Sequence, residues 1–227
     1  MPRALIIQHG HNGPAGLVAD RLEHHGYQLH TWLVSAAGNG KSPAATEFEL
    51  VVPLGSAQSV YDVAAVGSWI DRELDVLRAA HDNSIPVFGI CFGAQALCVA
   101  LGGVVERSPQ YEAGWVEVDT DDESVVPSGP WFTWHGDRCV LPAGATELAR
   151  NEVSVQAFRH GNSAAVQFHP EVTPDIVRDW IAELDAAWFA HKGIDSDAMI
   201  DGFANHRDTA RVNLHRMLDR FLDDTAR

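Results

Sequence analysis

The chain has 227 residues, 46% of them hydrophobic and 21% charged, enough apolar matter for one sizeable core within the usual span of a single α/β domain. Sixteen Lys and Arg stand against 31 Asp and Glu, a formal charge of −15 that repels phosphate backbones and anionic bilayers and argues against nucleic-acid or membrane partners. Three cysteines, an odd and small number, exclude a disulfide framework and suit a reducing cytoplasm.

Met1-Pro2-Arg3 runs straight into Ala4-Leu5-Ile6-Ile7, too short for a signal-peptide core and typical of a first buried strand. Apolar runs then alternate with amphipathic helical patterns: strand-like Leu5 to Gln8, helix-like Leu17 to Gly26, strand-like Tyr27 to Val34 and Leu50 to Leu54, helix-like Val66 to His81, and strand-like Val87 to Ile90. Such alternation predicts βαβ units and a parallel sheet covered on both faces. In the Val66 to His81 segment, Ile70, Leu74 and Leu77 mark the inner stripe, and Asp71, Arg72, Glu73 and Asp75 are expected on a solvated face. Between Ser35 and Thr46 lies loop chemistry; Gly38-Asn39-Gly40-Lys41-Ser42 lacks the spacing and the following helix of a phosphate loop. From Val104 to Phe168 the chain is strand-rich, with turns at Pro127 to Pro130 and Pro142 to Gly144, and is expected to form the antiparallel edge of a mixed sheet. Beyond Pro174 the pattern is helical, with Ile176, Val177, Trp180, Ile181, Leu184 and Trp188 on one stripe and Leu214, Leu218, Phe221 and Leu222 on another. That tail, about 174–227, could cover the sheet or form a homodimer contact.

Two short motifs carry chemistry. Val87-Phe88-Gly89-Ile90-Cys91-Phe92-Gly93-Ala94-Gln95 sets a cysteine between two glycines where a strand gives way to a helix, the pattern of a nucleophile elbow. A helix N-terminus there favours thiolate. Gln167-Phe168-His169-Pro170-Glu171 reads as a strand end whose histidine and glutamate share one face, with Pro170 holding His169 extended. Taken alone, His-Pro-Glu is ordinary loop chemistry. Beside a candidate thiol nucleophile, it supplies a base and the carboxylate that fixes the base's tautomer. Cys98 and Cys139 read as small apolar fillers, and the remaining histidines have no ligand spacing, so no metal site and no cofactor are expected.

Together these motifs, their order and their separation resemble the class I (triad) glutamine amidotransferases, most closely free-standing members similar to the amidotransferase domain of GMP synthetase. Gly55 to Asp62, Glu112-Ala113-Gly114-Trp115, Trp134-His135-Gly136-Asp137 and Thr173-Pro174 extend the match over nearly the whole chain. The resemblance implies one domain over residues 1–227, with an open, mostly parallel mixed sheet flanked by helices on both faces (flavodoxin-like). It also implies a Cys91–His169–Glu171 triad and an oxyanion hole from the backbone N–H groups of Ser56 and Phe92. Gly55, Gln95, Trp115, His135, Gly136 and Asp137 would line or support the substrate pocket, with His135 and Asp137 bracing a turn. The implied activity is hydrolysis of glutamine to glutamate and ammonia, the ammonia passing to a separate synthetase subunit. A γ-glutamyl peptidase is the alternative with the same mechanism, and a catalytically silent regulatory protein is an alternative of another class. Family members usually carry Gly-Gly-Pro where this chain has Gly55-Ser56-Ala57. If the second glycine is used for angles that serine disfavours, the hole is imperfect and unaided turnover is weak.

Overall fold

A computed structural model describes residues 1–35 and 41–226. Part of the Gly38 to Ser42 loop therefore lies outside the described residues. The first half is built from β1 (Arg3–Gln8), α1 (Gly16–His24), β2 (Gln28–Leu33), β3 (Leu50–Pro53), α2 (Val63–Val66), α3 (Ile70–Asp82), β4 (Phe88–Ile90) and α4 (Phe92–Ala100). Strands β2, β1 and β3 pair in parallel, Val51 bridges in parallel to Val87, and β4 pairs in parallel with β10 (Ser163–Val166). The single helical run expected from Val66 to His81 is divided between the end of α2 and α3 by a turn at Gly67 to Trp69, and Gly67 has no room for a side chain, since an added Cβ would sit 2.4 Å from the Val63 carbonyl oxygen.

The antiparallel edge consists of β10, β9 (Val155–His160), β8 (Thr146–Arg150) and β6 (Asp119–Thr120) in that order. The longest strands of the region, β5 (Val104–Val116) and β7 (Trp131–Val140), do not join that edge. They pair only with each other, with an irregular register between Arg107 and Glu112. The expectation that the whole Val104 to Phe168 region forms the antiparallel edge is thus corrected for these two strands, because strand periodicity identifies a strand without identifying its partner.

Side-chain alternation along β1 and β3 divides the core. Leu5, Ile7 and Val51 pack with Val66, Leu74 and Leu77 of α2 and α3 and with Leu97 of α4. Ala4, Ile6, Leu50 and Val52 face Val18 and Leu22 of α1. The tail comprises α5 (Pro174–Ala182), α6 (Ala186–Lys192) and α7 (Ser196–Thr225). Leu214, Leu218 and Phe221 of α7 complete the second layer, so α7 covers the sheet. Each fully buried Leu or Phe of this kind contributes roughly 1.5–3 kcal/mol. Arg21 holds Asp219 through Nε and Nη2 at 2.7 and 2.5 Å, fastening α1 to α7. Among the described residues no helix is long and apolar enough to cross a membrane.

Candidate functional site

The carboxyl ends of the parallel strands converge on one edge of the sheet, where open α/β folds bind ligands. His9 follows β1, Gly55 follows β3 closely, Cys91 follows β4, and Gln167 to His169 follow β10. Cys91 has φ 52° and ψ −108°, a left-handed strain that an L residue adopts only where its surroundings enforce it. The enforcing contacts are visible. The Cys91 N–H donates to Val166 O at 2.8 Å, and the Gln95 N–H donates back to Cys91 O at 3.0 Å. Both flanking glycines are required by close approach: a Cβ on Gly93 would lie 2.0 Å from Pro53 O, and one on Gly89 would lie 2.9 Å from Gly93 O.

His169 is held by its N–H donating to Phe132 O at 2.7 Å. Its Nδ1 lies 2.7 Å from Glu171 Oε1, both side chains being almost fully buried, and its ring meets Trp180 edge-on at 5.0 Å. Burial opposes the imidazolium, yet the adjacent Cys91 and Glu171 charges and the hydrogen bonds to both outweigh it and hold the His169 pKa well above the ordinary imidazole value. The Glu171 backbone is pinned as well, its carbonyl accepting from the Leu17 N–H at 2.9 Å. Gly16, at φ +44°, permits this contact, because a Cβ there would sit 2.2 Å from Glu171 O. Nothing in the sequence marked Gly16 as a neighbour of Glu171.

The loop after β3 lies against these groups. A Cβ on Gly55 would be 2.8 Å from His169 Cε1 and 3.8 Å from Cys91 Cβ. Gly93 N–H donates to Leu54 O at 2.9 Å and Leu54 N–H to Ile7 O at 3.0 Å, tying the loop to the elbow and to β1. Ser56 is not at positive φ; among the described non-glycine residues only Ser84 and Cys91 are. The strain expected from serine at this position therefore does not arise. Among the described residues the N–H groups of Ser56 and Phe92 donate to no protein acceptor.

The other expected pocket residues divide into two groups. Gln95 is buried, donating to Gln167 Oε1 at 3.2 Å and Asp137 O at 3.4 Å. Asp137 accepts from Ser59 Oγ at 2.5 Å and Tyr61 Oη at 2.7 Å, so it fastens the 55–62 loop to β7. His135 is not paired with the Asp137 carboxylate. Its Nδ1 meets the Asp137 backbone carbonyl at 3.0 Å, while Nε2 lies 3.0 Å from Glu112 Oε2, its cross-strand neighbour, too poorly aligned for a hydrogen bond but close enough for electrostatic contact. Glu112 is further held by Asn151 at 2.6 Å and Gln156 at 2.9 Å. Trp115 turns to the tail: its Nε1 donates to Met199 O at 3.1 Å and its ring packs on Phe132, Phe203 and His206.

Sequence reasoning missed two features. Tyr111 covers Gly136, where a Cβ would meet its ring at 2.8 Å, and stands beside Trp188, with Lys192 Nζ 5.0 Å from its ring centroid. Burial pushes its phenol up to about 12, and the nearby Cys91 and Asp137 charges add to the rise. Glu73, expected on the solvated face of α3, is instead completely buried, with Oε2 2.9 Å from His9 Nε2. Among the described residues no group of three or more His, Cys, Asp and Glu could hold a metal ion.

A family model described as glutamine amidotransferase class-I matches residues 15–181, well over half of the chain. The chain belongs to that family. A GMP synthase (glutamine-hydrolyzing) from Mesorhizobium japonicum is 34% identical over 187 residues, covering 70% of this chain but 34% of the synthase. A second, from Agrobacterium fabrum, is 37% identical over 112 residues, covering 43% of this chain and 21% of the synthase. This amidotransferase-family chain thus spans about a third or less of those relatives. Among solved structures, a glutamine amidotransferase from Thermotoga maritima superposes with a TM-score of 0.85 at 25% identity, over 97% of each chain. One from Methylobacillus flagellatus superposes at 0.86 with 21% identity, a likeness of fold. The matched region ends before α6 and α7.

Proposed function

We propose that the protein hydrolyses the side-chain amide of glutamine, with Cys91 as nucleophile, His169 as proton carrier and Glu171 as orienter. Cys91 Sγ bonds to the amide carbon, His169 takes the thiol proton and gives it to the departing nitrogen, and ammonia leaves a γ-glutamyl thioester. Water then attacks the thioester as His169 takes its proton, glutamate departs, and the thiol is restored. The backbone N–H groups of Ser56 and Phe92 receive the charge on the carbonyl oxygen in both steps. The observation that carries this reading is the buried His169–Glu171 contact of 2.7 Å beside a cysteine held at φ 52°. Family membership and the glutamine-hydrolysing relatives support it.

A second reading keeps the mechanism and enlarges the leaving group to that of a γ-glutamyl peptide or conjugate. It is favoured by Tyr111, close enough to Cys91 to feel its charge, and by Trp188 and Lys192, which pack on the Tyr111 ring, lie beyond the family match and would offer an aromatic surface and a cation to something larger than ammonia.

Incubating the purified chain with glutamine, glutathione and other γ-glutamyl amides, and measuring glutamate release, separates the two. Faster turnover of peptides than of glutamine selects the second. A synthetase subunit acting in trans would raise glutamine turnover without changing preference. Electrophilic glutamine analogues are expected to label Cys91 and spare the buried Cys98 and Cys139. Label on Cys139, or full turnover by Cys91→Ala, would remove the mechanism.

A further inference from the structure

The buried pair His9–Glu73 plays no part in the proton transfers above, yet it reaches the loop beside them. His9 Nδ1 lies 3.0 Å from Gly55 O, and Nε2 lies 2.9 Å from Glu73 Oε2. Its ring packs edge-on against Phe92 at 4.7 Å and at a tilt on Trp69 at 5.2 Å. A carbonyl oxygen only accepts, so Nδ1 must donate, and the Nε2–Glu73 contact, which needs one further proton shared between the two, holds the ring in that orientation from the opposite side. The Gly55 carbonyl and the Ser56 N–H belong to one planar trans peptide and point in opposite directions. Fixing the oxygen toward His9 therefore fixes the N–H away from it. Gly55 itself borders His169 and Cys91, and the Ser56 N–H, turned from His9, donates to no protein acceptor among the described residues.

We propose that His9 and Glu73 are a positioning pair that presets the oxyanion hole, aiming the Ser56 N–H at the reacting carbonyl while the same imidazole buttresses Phe92, the residue of the second donor. The proposal rests on the hydrolase reading above. It also accounts for serine at position 56: with the peptide plane set from outside the loop, a second glycine is not needed to reach it.

His9→Leu alone leaves the Glu73 carboxylate buried without its partner, so the paired variant H9L/E73M, which removes both polar groups, is the main probe. For whichever γ-glutamyl amide the wild type turns over, kcat is expected to fall about a hundredfold, the usual cost of one lost oxyanion donor, with KM changed less than about threefold. Alkylation of Cys91 by iodoacetamide, a displacement at saturated carbon with no oxyanion, should stay within about twofold of wild type. H9N/E73M keeps an N–H near the position of Nδ1 without stranding the carboxylate, and should recover most of the lost kcat. A wild-type kcat in H9L/E73M, or alkylation falling in step with kcat, would overturn the proposal. A crystal structure of H9L/E73M gives a readout free of turnover: an unchanged Gly55–Ser56 peptide overturns the proposal, and a rotated one supports it. A wild-type chain inert toward every γ-glutamyl amide would instead remove the hydrolase reading.

Discussion

Cys91 provides a test of the elbow that does not depend on activity. At φ 52° and ψ −108° a residue with a Cβ is strained by about 1–3 kcal/mol, whereas glycine occupies positive φ freely. Glycine in turn loses about 0.5–1 kcal/mol through its more flexible unfolded state. Comparing Cys91→Gly with Cys91→Ala cancels the loss of sulfur and of catalysis, since both variants lack the thiol. The difference left is strain relief minus entropy, so the glycine variant should be the more stable by about 1 kcal/mol at mid-range and up to about 2.5 at most. For a chain of this size each kcal/mol corresponds to roughly 2–4 °C in melting temperature, readable by calorimetry or by urea denaturation. In a relaxed strand-to-helix turn the order reverses and alanine wins. Equal stability, or a more stable alanine variant, would refute an elbow strained by its surroundings.

Gly55→Ala is expected to push the His169 ring or the loop aside, since its Cβ starts 2.8 Å from Cε1, lowering kcat by about tenfold to a hundredfold with little change in melting temperature. Wild-type kcat in that variant would show the loop to be clear of the base. His169→Ala should cost about as much activity as losing the thiol, whereas Glu171→Gln should retain more, because an amide still orients the ring but stabilises its cation poorly; equal losses in steady-state assays would contradict this division of roles. The raised His169 pKa also predicts a pH window for stability. Stabilisation by the imidazolium is complete below the unfolded value of about 6.5 and disappears as pH rises through the higher folded value, so the melting-temperature gap between wild type and Glu171→Gln should shrink on going alkaline. A gap that widens with pH would invert the sign of the linkage.

The parts of this site that lie in short, punctuated stretches were legible in the sequence. Gly89, Cys91 and Gly93 announce the elbow because a close turn leaves so few residue choices, and Pro170 announces the direction of His169. Glu73 was not legible. It lies among Asp71, Arg72 and Asp75, and only a histidine 64 positions away makes its burial tolerable. The partner of His135 was hidden for a different reason. Pairing it with Glu112 requires the β5–β7 register, which shifts between Arg107 and Glu112, and a one-residue error there moves every side chain to the other face. That Ser56 is not at positive φ, so that serine is not strained where family members usually carry a second glycine, is a property of the folded loop that its composition does not disclose.

Cys91, His169 and Glu171, the three residues proposed above for the chemistry, are each secured by a backbone hydrogen bond to a remote element: Cys91 to the end of β10, His169 to β7, and Glu171 to the start of α1. None of these anchors is local, so a chain emerging during synthesis can complete its elbow turn and still lack the strand that holds the turn in place. Loop-closure entropy must be overcome before such contacts form, which sets the order of events. On the hydrolase reading proposed above, the thiol meets its base only once β10, the last strand of the sheet, has docked beside β4, so the site is completed by the most distant strand pairing among the described residues rather than by the elbow itself.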